Sequence, residues 1–270
     1  MSYNLLKGKK GIIFGALDAK SIAWKTALRC AEEGASILLT NAPVAMRMGV
    51  INKLAEKINA PVIPCDVSSN EDMLNLLTKA KEHFGGGVDF ILHSIGMSLN
   101  VRKGKHYTEI DYGFNQKTLD ISAMSLHRLL ATAMKLDAIN DWGSVVALTY
   151  IAAQRVFPDY NEMADAKALL ESVTRSFGYH YALKKHVRVN TVSQSPTRTT
   201  AGSGVKGFDG FINYAEKMSP LGNASGEDCA NYCVTLFSDL TKYVTMQNLF
   251  HDGGFSFTGV TESVIDQMEK

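Results

Sequence analysis

Seven short apolar runs punctuate this chain, at residues 10–14, 36–40, 61–65, 88–94, 143–149, 187–192 and 244–250. Most are continuously apolar rather than alternating, as expected of strands buried on both faces. Between them lie stretches with apolar residues at helical spacing. Strand and helix therefore alternate, which predicts an α/β fold built on one Rossmann-like, doubly wound parallel sheet of about seven strands. The 270 residues are enough for one large domain, and the reading is a single domain over 1–270.

Composition narrows the function. A net charge of +1 argues against bulk affinity for nucleic acid or membrane. No apolar run reaches the roughly 18 residues needed to span a bilayer. The start, Met1-Ser2-Tyr3-Asn4-Leu5-Leu6-Lys7-Gly8, lacks a secretory apolar region. The four cysteines, Cys30, Cys65, Cys229 and Cys233, form no Cys-x-x-Cys pair. They read as buried thiols in a reducing, cytoplasmic compartment, with no metal site.

In such a sheet, ligands meet the carboxyl ends of the strands. The first run ends in Gly15, and Ser21 is placed to cap a helix beginning at Ile22. A strand, a glycine turn and a helix N-terminus together suit a pyrophosphate, although the G-x-G-x-x-G pattern is absent. The second strand ends Thr40-Asn41-Ala42-Pro43, with neither an acid for a ribose nor an adjacent base for a 2′-phosphate. Arg47 is the nearest cation, so the cofactor choice leans towards NADH with NADPH possible. Asp66, after the third run, suits either an adenine amino group or a cap on the next turn. Ser68-Ser69-Asn70-Glu71 reads as a capping box for a helix ending near Phe84. Gly96 ends the fourth strand, where a glycine lets backbone approach a ligand closely. Residues 44–58 and 112–136 read as helices, and 100–111 as a loop. Ser, Thr and Gly crowd 193–210, which reads as a mobile lid, with a substrate-binding segment around 193–218.

After the fifth strand comes Tyr150, then Pro158-Asp159-Tyr160, then a helix-like run from Asn161 to about Tyr181. Tyr160 and Lys167 are seven residues apart, close to two helical turns, which puts both on one helix face. The ammonium would favour phenolate and lower the tyrosine's pKa. The same spacing also fits a surface tyrosine and a solvated lysine. What favours chemistry is that Gly15, Asp66, Ile95, Tyr150 and Thr197 all fall at strand ends.

With these motifs in view, the sequence resembles the short-chain dehydrogenase/reductase superfamily. More specifically, it resembles its divergent branch, the bacterial NADH-type enoyl-acyl-carrier-protein reductases. The matching residues are Gly15-x5-Ser21-Ile22-Ala23, Asp66-Val67, His93-Ser94-Ile95-Gly96, Asp120-Ile121-Ser122, Tyr150-x9-Tyr160-x6-Lys167, Arg188-Val189-Asn190, Ser195-Pro196-Thr197 with Thr199, and His251-Asp252-Gly253-Gly254. Tyr-x6-Lys is the specific part, since common members use Tyr-x3-Lys; here Ala164 and Met163 stand three and four residues before Lys167.

The resemblance implies an oxidoreductase of fatty acid biosynthesis that reduces the trans-2 double bond of an enoyl thioester on acyl carrier protein. It implies Tyr150, Tyr160 and Lys167 as catalytic residues. For cofactor binding it implies Gly15, Ser21 and Ile22 at the pyrophosphate, Asp66 and Val67 at the adenine, and Ile95 and Gly96 on the nicotinamide side, with Ser94 also in the cofactor site. Lys167 would hold the ribose, Thr197 would touch the carboxamide, and Thr199 would also belong to the cofactor site. Ser98, Tyr150 and Tyr160 would meet the substrate. A homotetramer is also implied. Ala42 stands where the family often has a polar or basic residue. The basic cluster that some members carry beyond the lid is reduced to Lys206, followed by Gly207-Phe208-Asp209-Gly210. Carrier docking would then use Lys206 with Lys217, or Arg102, Lys103 and Lys105. Two alternatives stand beside this reading: a carbonyl reductase of the same superfamily, favoured by a hydroxyl at 163 or 164, and a non-catalytic dinucleotide-binding regulator, favoured by loss of Tyr160 or Lys167.

Overall fold

The computed structural model describes residues 2–47, 49–200, 202 and 207–269. Among them six parallel strands form one sheet: β1 (Lys10–Phe14), β2 (Ser36–Thr40), β3 (Val88–His93), β4 (Ile139–Thr149), β5 (Arg188–Gln194) and β6 (Asn248–His251). Their spatial order is β2-β1-β3-β4-β5-β6, so chain direction across the sheet reverses between β1 and β3. A crevice opens beyond the carboxyl ends at such a switch point.

The expected seventh strand, 61–65, is reduced to an isolated parallel bridge between Leu39 and Val62. The segment does lie along the outer edge of β2. Leu39 N donates to Pro61 O, Ile63 N to Leu39 O and Cys65 N to Asn41 O, at 2.9–3.0 Å. Pro61 and Pro64 bring no N–H of their own, and proline confines such a run to an edge without a full ladder.

The helices follow in chain order: α1 (Ile22–Glu32), α2 (Pro43–Met46), α3 (Val50–Ile58), α4 (Asn70–Phe84), α5 (Leu99–Arg102), α6 (Tyr112–Leu119), α7 (Ser125–Leu136), α8 (Glu162–Lys185), α9 (Phe208–Met218), α10 (Gly226–Phe237) and α11 (Glu262–Met268). One apolar layer packs α4, α7 and α8 on the sheet through Leu76, Leu129, Leu170 and their neighbours. The other packs α1, α3 and α10 through Ala27, Leu54 and Phe237. Phe237 stacks on Phe90 of β3 with centroids 4.6 Å apart. Gly11 makes room for that ring, because a Cβ there would stand 2.1 Å from Phe90.

Local chemistry explains most boundaries. Ser21 Oγ accepts from Trp24 N at 3.3 Å and caps α1. The α4 cap is Ser69 with Asp72, one residue later than expected. The single helix expected over 44–58 is broken, because Gly49 takes φ +67° between α2 and α3. The loop expected at 100–111 contains α5 and a short 3₁₀ turn at Tyr107–Glu109. A π turn, Asp120–Met124, joins α6 to α7. It presents Ser122 Oγ to Met97 N at 3.0 Å and so ties down the segment that follows β3. No helix among the described residues is long and apolar enough to cross a membrane.

Candidate active site

A cleft of about 920 Å³ opens over the carboxyl ends of β1 to β5. All fourteen expected site residues line it: Gly15, Ser21, Ile22, Asp66, Val67, Ser94, Ile95, Gly96, Ser98, Tyr150, Tyr160, Lys167, Thr197 and Thr199.

Its β1 end is built by close approach. Gly15 has φ +90°, and a Cβ there would stand 2.0 Å from Ser94 O. Only glycine lets the β1–α1 turn lie against the end of β3 in this way. The first turn of α1 starts at the cleft, and the N–H groups of a first helical turn have no partner inside the helix. This turn and helix N-terminus suit the pyrophosphate of a dinucleotide. Asn41 follows β2 and donates through Nδ2 to Ala16 O at 3.0 Å. The wall from Asn41 to Ala45 presents no cation, and Arg47 is exposed and does not line the cleft. Asp66 lines the cleft and also caps its own turn. Its Oδ1 accepts from Ser68 N and Oγ at 2.9 and 2.7 Å, so both readings of that residue are compatible with its position.

The β4 end holds the ionisable groups. Tyr160 is not on the α8 face, as its spacing from Lys167 suggested. The helix begins at Glu162, and Tyr160 sits in the entry turn between Asp159 (φ 63°) and Asn161 (φ 45°). Asn161 Nδ2 anchors this turn to Lys105 O at 2.6 Å. The Tyr150 and Tyr160 rings meet with centroids 5.3 Å apart, and Phe157 packs on Tyr150 at 5.2 Å. Lys167 is buried and donates to Leu148 O at 2.8 Å. A Cβ on Gly96 would lie 3.9 Å from Lys167 Nζ, so the missing side chain leaves that face of the lysine open.

The expected lowering of the Tyr160 pKa is not found. Burial pushes the Tyr160 phenol well above its usual range. Tyr150 is raised as well, by burial and then by Tyr160 and Asp252. Burial draws Lys167 down to about 8, with Glu171 opposing the shift. The low-dielectric surroundings outweigh any attraction between the pair.

Ser98 lines the cleft, but its hydroxyl is engaged behind the wall. It donates to the buried Glu162 Oε1 at 2.5 Å and accepts from Val101 N at 3.0 Å. Thr197 Oγ1 donates to Ser195 O at 2.9 Å, and Thr199 Oγ1 accepts from Gly202 N at 3.0 Å. Sequence reasoning missed Phe157, Met163, Gln194, Phe208 and Phe211 as lining residues. Phe157, beside Pro158 in the loop to Tyr160, was the one with a visible signal. Within the expected lid, residues 193–194 complete β5 and 208–218 form α9, while 201 and 203–206 lie outside the described residues. Lys206, a candidate for carrier docking, is among the latter. Lys217 bonds Gln267 Oε1 at 2.9 Å, and Lys103 sits over the Phe114 ring at 4.3 Å.

Comparison with known proteins agrees with this geometry. The family described as Enoyl-(Acyl carrier protein) reductase matches residues 15–256. The chain is 34% identical over 267 residues to the NADH enoyl-acyl-carrier-protein reductase FabI of Rickettsia bellii, covering 98% of this chain and 100% of that protein. It is 33% identical over 259 residues to NADH enoyl-acyl-carrier-protein reductase 2 of Rhizobium meliloti, covering 95% and 94%. Among solved structures, the FabI–NADH complex from Alistipes finegoldii superposes with a TM-score of 0.95 at 66% identity, covering 96% of this chain and 92% of that one. The chain belongs to the enoyl-(acyl carrier protein) reductase family.

Proposed function

We propose that this protein reduces the trans-2 double bond of enoyl thioesters carried on acyl carrier protein, the closing step of a fatty acid elongation cycle, with NADH. The observation that carries the reading is the convergence of the buried Lys167 and the half-buried Tyr160 and Tyr150 on one cleft with the Gly15 turn and the α1 N-terminus. Reduced nicotinamide, when bound, supplies the hydride that the β-carbon receives. As that bond forms, negative charge grows on the thioester oxygen, and the enolate then takes up a proton from solvent at the α-carbon to give the saturated thioester. Tyr160 keeps its proton at neutral pH and donates a hydrogen bond to that oxygen, one that strengthens in the transition state. Lys167 holds the nicotinamide-ribose hydroxyls, using donors left over from its bond to Leu148 O. Tyr150 walls the acyl side.

Gly15, Ser21 and Ile22 take the pyrophosphate. Asp66 and Val67 take the adenine. Ser94, Ile95, Gly96, Thr197 and Thr199 frame the nicotinamide. Ser98 shapes the substrate wall, with Glu162 behind it. The uncharged wall from Asn41 to Ala45 supports NADH, since a 2′-phosphate would find no base there. We place all of this in a single cytoplasmic catalytic domain with a lid around 193–218, working as a homotetramer.

The test is loss of reduced-nicotinamide absorbance with a short trans-2-enoyl thioester, run with NADH and with NADPH. Oxidation of NADH is expected. Oxidation with ketones and not with enoyl thioesters would move the protein to the carbonyl reductases.

A further inference from the structure

Beneath Lys167 lies a polar network that the reaction just described does not use. Glu171 follows Lys167 by one helical turn on α8, so the two share a helix face. It is buried, at 5% exposure. Its Oε1 accepts from Thr149 Oγ1 at 2.9 Å and from Asn248 Nδ2 at 3.2 Å, and its Oε2 from Gln154 Nε2 at 3.2 Å. These donors sit on the last residue of β4, the first residue of β6 and the residue after the 3₁₀ turn Ile151–Ala153. Thr149 immediately precedes Tyr150, and Gln154 leads into the loop that delivers Tyr160. Lys167 meanwhile bonds Leu148 O. Two successive turns of α8 therefore grip one strand end, the first with a cation and the second with an anion.

Few other charges face Lys167. From β3 comes His93, whose imidazole is drawn down to about 3 by burial and then by the Lys167 charge, and is neutral. From the β4–α8 loop come Tyr150 and Tyr160, whose phenols keep their protons. The segment after β3 presents Gly96, which has no side chain. On α8, Arg175 lies one turn beyond Glu171. Burial raises the Glu171 carboxyl, while the Gln154 and Thr149 hydrogen bonds, Arg175 and Lys167 act to lower it. A buried ammonium without a counter-charge is costly, and Glu171 is the anion that opposes that cost at Lys167.

We propose that Glu171 is a positioning residue of the reaction, serving as the buried counter-charge to Lys167 and the anchor of the strand end that carries Tyr150. This rests on the assignment of Lys167 to the cofactor ribose. Glu171→Gln is the discriminating change. It keeps the shape, and the Gln154 amide can turn to accept where it formerly donated, so the charge is what is lost. Glu171→Asp keeps the charge on a shorter arm.

The experiment measures NADH affinity by fluorescence titration and kcat/KM on a short enoyl thioester, both from pH 6 to pH 9. For Glu171→Gln the fall at the alkaline end moves down by about one pH unit, so the ratio of affinity at pH 8.5 to that at pH 6 drops roughly tenfold. Glu171→Asp returns most of that ratio. A uniform loss at every pH, or an alkaline limb identical to the parent's, overturns the proposal. If the parent binds NADH but turns over no enoyl thioester, the reading of the reaction fails instead, and the binding titration still decides the role of Glu171.

Discussion

Gly15→Ala puts the tightest contact in the cleft under stress. The added Cβ would stand 2.0 Å from Ser94 O and 3.0 Å from Ser94 C, both backbone atoms that cannot swing aside. A carbon and a carbonyl oxygen need about 3.3 Å, so the β1–α1 turn and the end of β3 must separate by roughly 1.3 Å. Gly15 also has φ +90°, where a side chain adds about 1–2 kcal/mol. Together the two effects amount to about 2–4 kcal/mol, which lowers Tm by roughly 5–10 °C in a chain of this size. The displacement falls where the pyrophosphate is held. A shift of about 1 Å at a binding site costs on the order of 100-fold in function. Calorimetry and NADH titration read the two effects separately. Gly85→Ala is the control: φ is +66° there too, but a Cβ meets nothing within 4 Å. It should lose about 1 kcal/mol of stability and no cofactor affinity. If Gly15→Ala melts within 1 °C of the parent and binds NADH within about twofold, the close-approach argument is wrong.

Three further outcomes are expected. Tyr160→Phe removes one donor to the thioester oxygen and should lower kcat by about 10²–10³-fold while NADH titrates nearly as in the parent; parental turnover would refute the role. Lys167→Met should lose NADH affinity yet raise Tm at pH 7, because the ammonium is drawn down to about 8 by burial. The unfolded chain holds that proton up to about pH 10.4, so the native state binds fewer protons between those values and the parent gains stability as pH rises through that window. The methionine variant should show no such gain, and a matching rise in Tm with pH would count against the assignment. Ala42→Arg should raise the NADPH-to-NADH ratio of kcat/KM by about tenfold, since it supplies the missing base beside the ribose; an unchanged ratio would put cofactor choice elsewhere.

Sequence pattern revealed the sheet because buried parallel strands are written as continuous apolar runs, and the Ser21 cap is a local hydrogen bond that the adjoining residues declare. The 61–65 run misled because its apolar residues look like those of a central strand, while its prolines hold it to a single bridge on β2. That the fourteen expected residues line one cleft was legible through the family motif and the strand ends. Glu162 and Glu171 were not, because each works through partners far away in sequence: Ser98 is 64 residues from Glu162, and Asn248 is 77 from Glu171. Spacing alone could not show that Tyr160 stands off the helix. That depends on Asp159 and Asn161 both taking positive φ, which their residue types do not demand.

The same burial explains why this pair is suited to donate rather than to attract a proton. Spacing suggested an ammonium stabilising a phenolate. In the folded chain both groups are pushed towards their neutral forms: Tyr160 upward, away from phenolate, and Lys167 downward to about 8. A phenolate could only accept a hydrogen bond and would repel the negative charge growing on a thioester oxygen. A phenol that keeps its proton at neutral pH can meet that charge directly, in surroundings where each hydrogen bond counts for more than in water. The lysine close to its titration point then supplies a cation below about pH 8 and loses it above, with Glu171 setting how far the cation persists. In the proposed reaction, charge at this site is governed from the α8 turn beneath the lysine, while the proton offered to the substrate stays on the tyrosine in the entry turn.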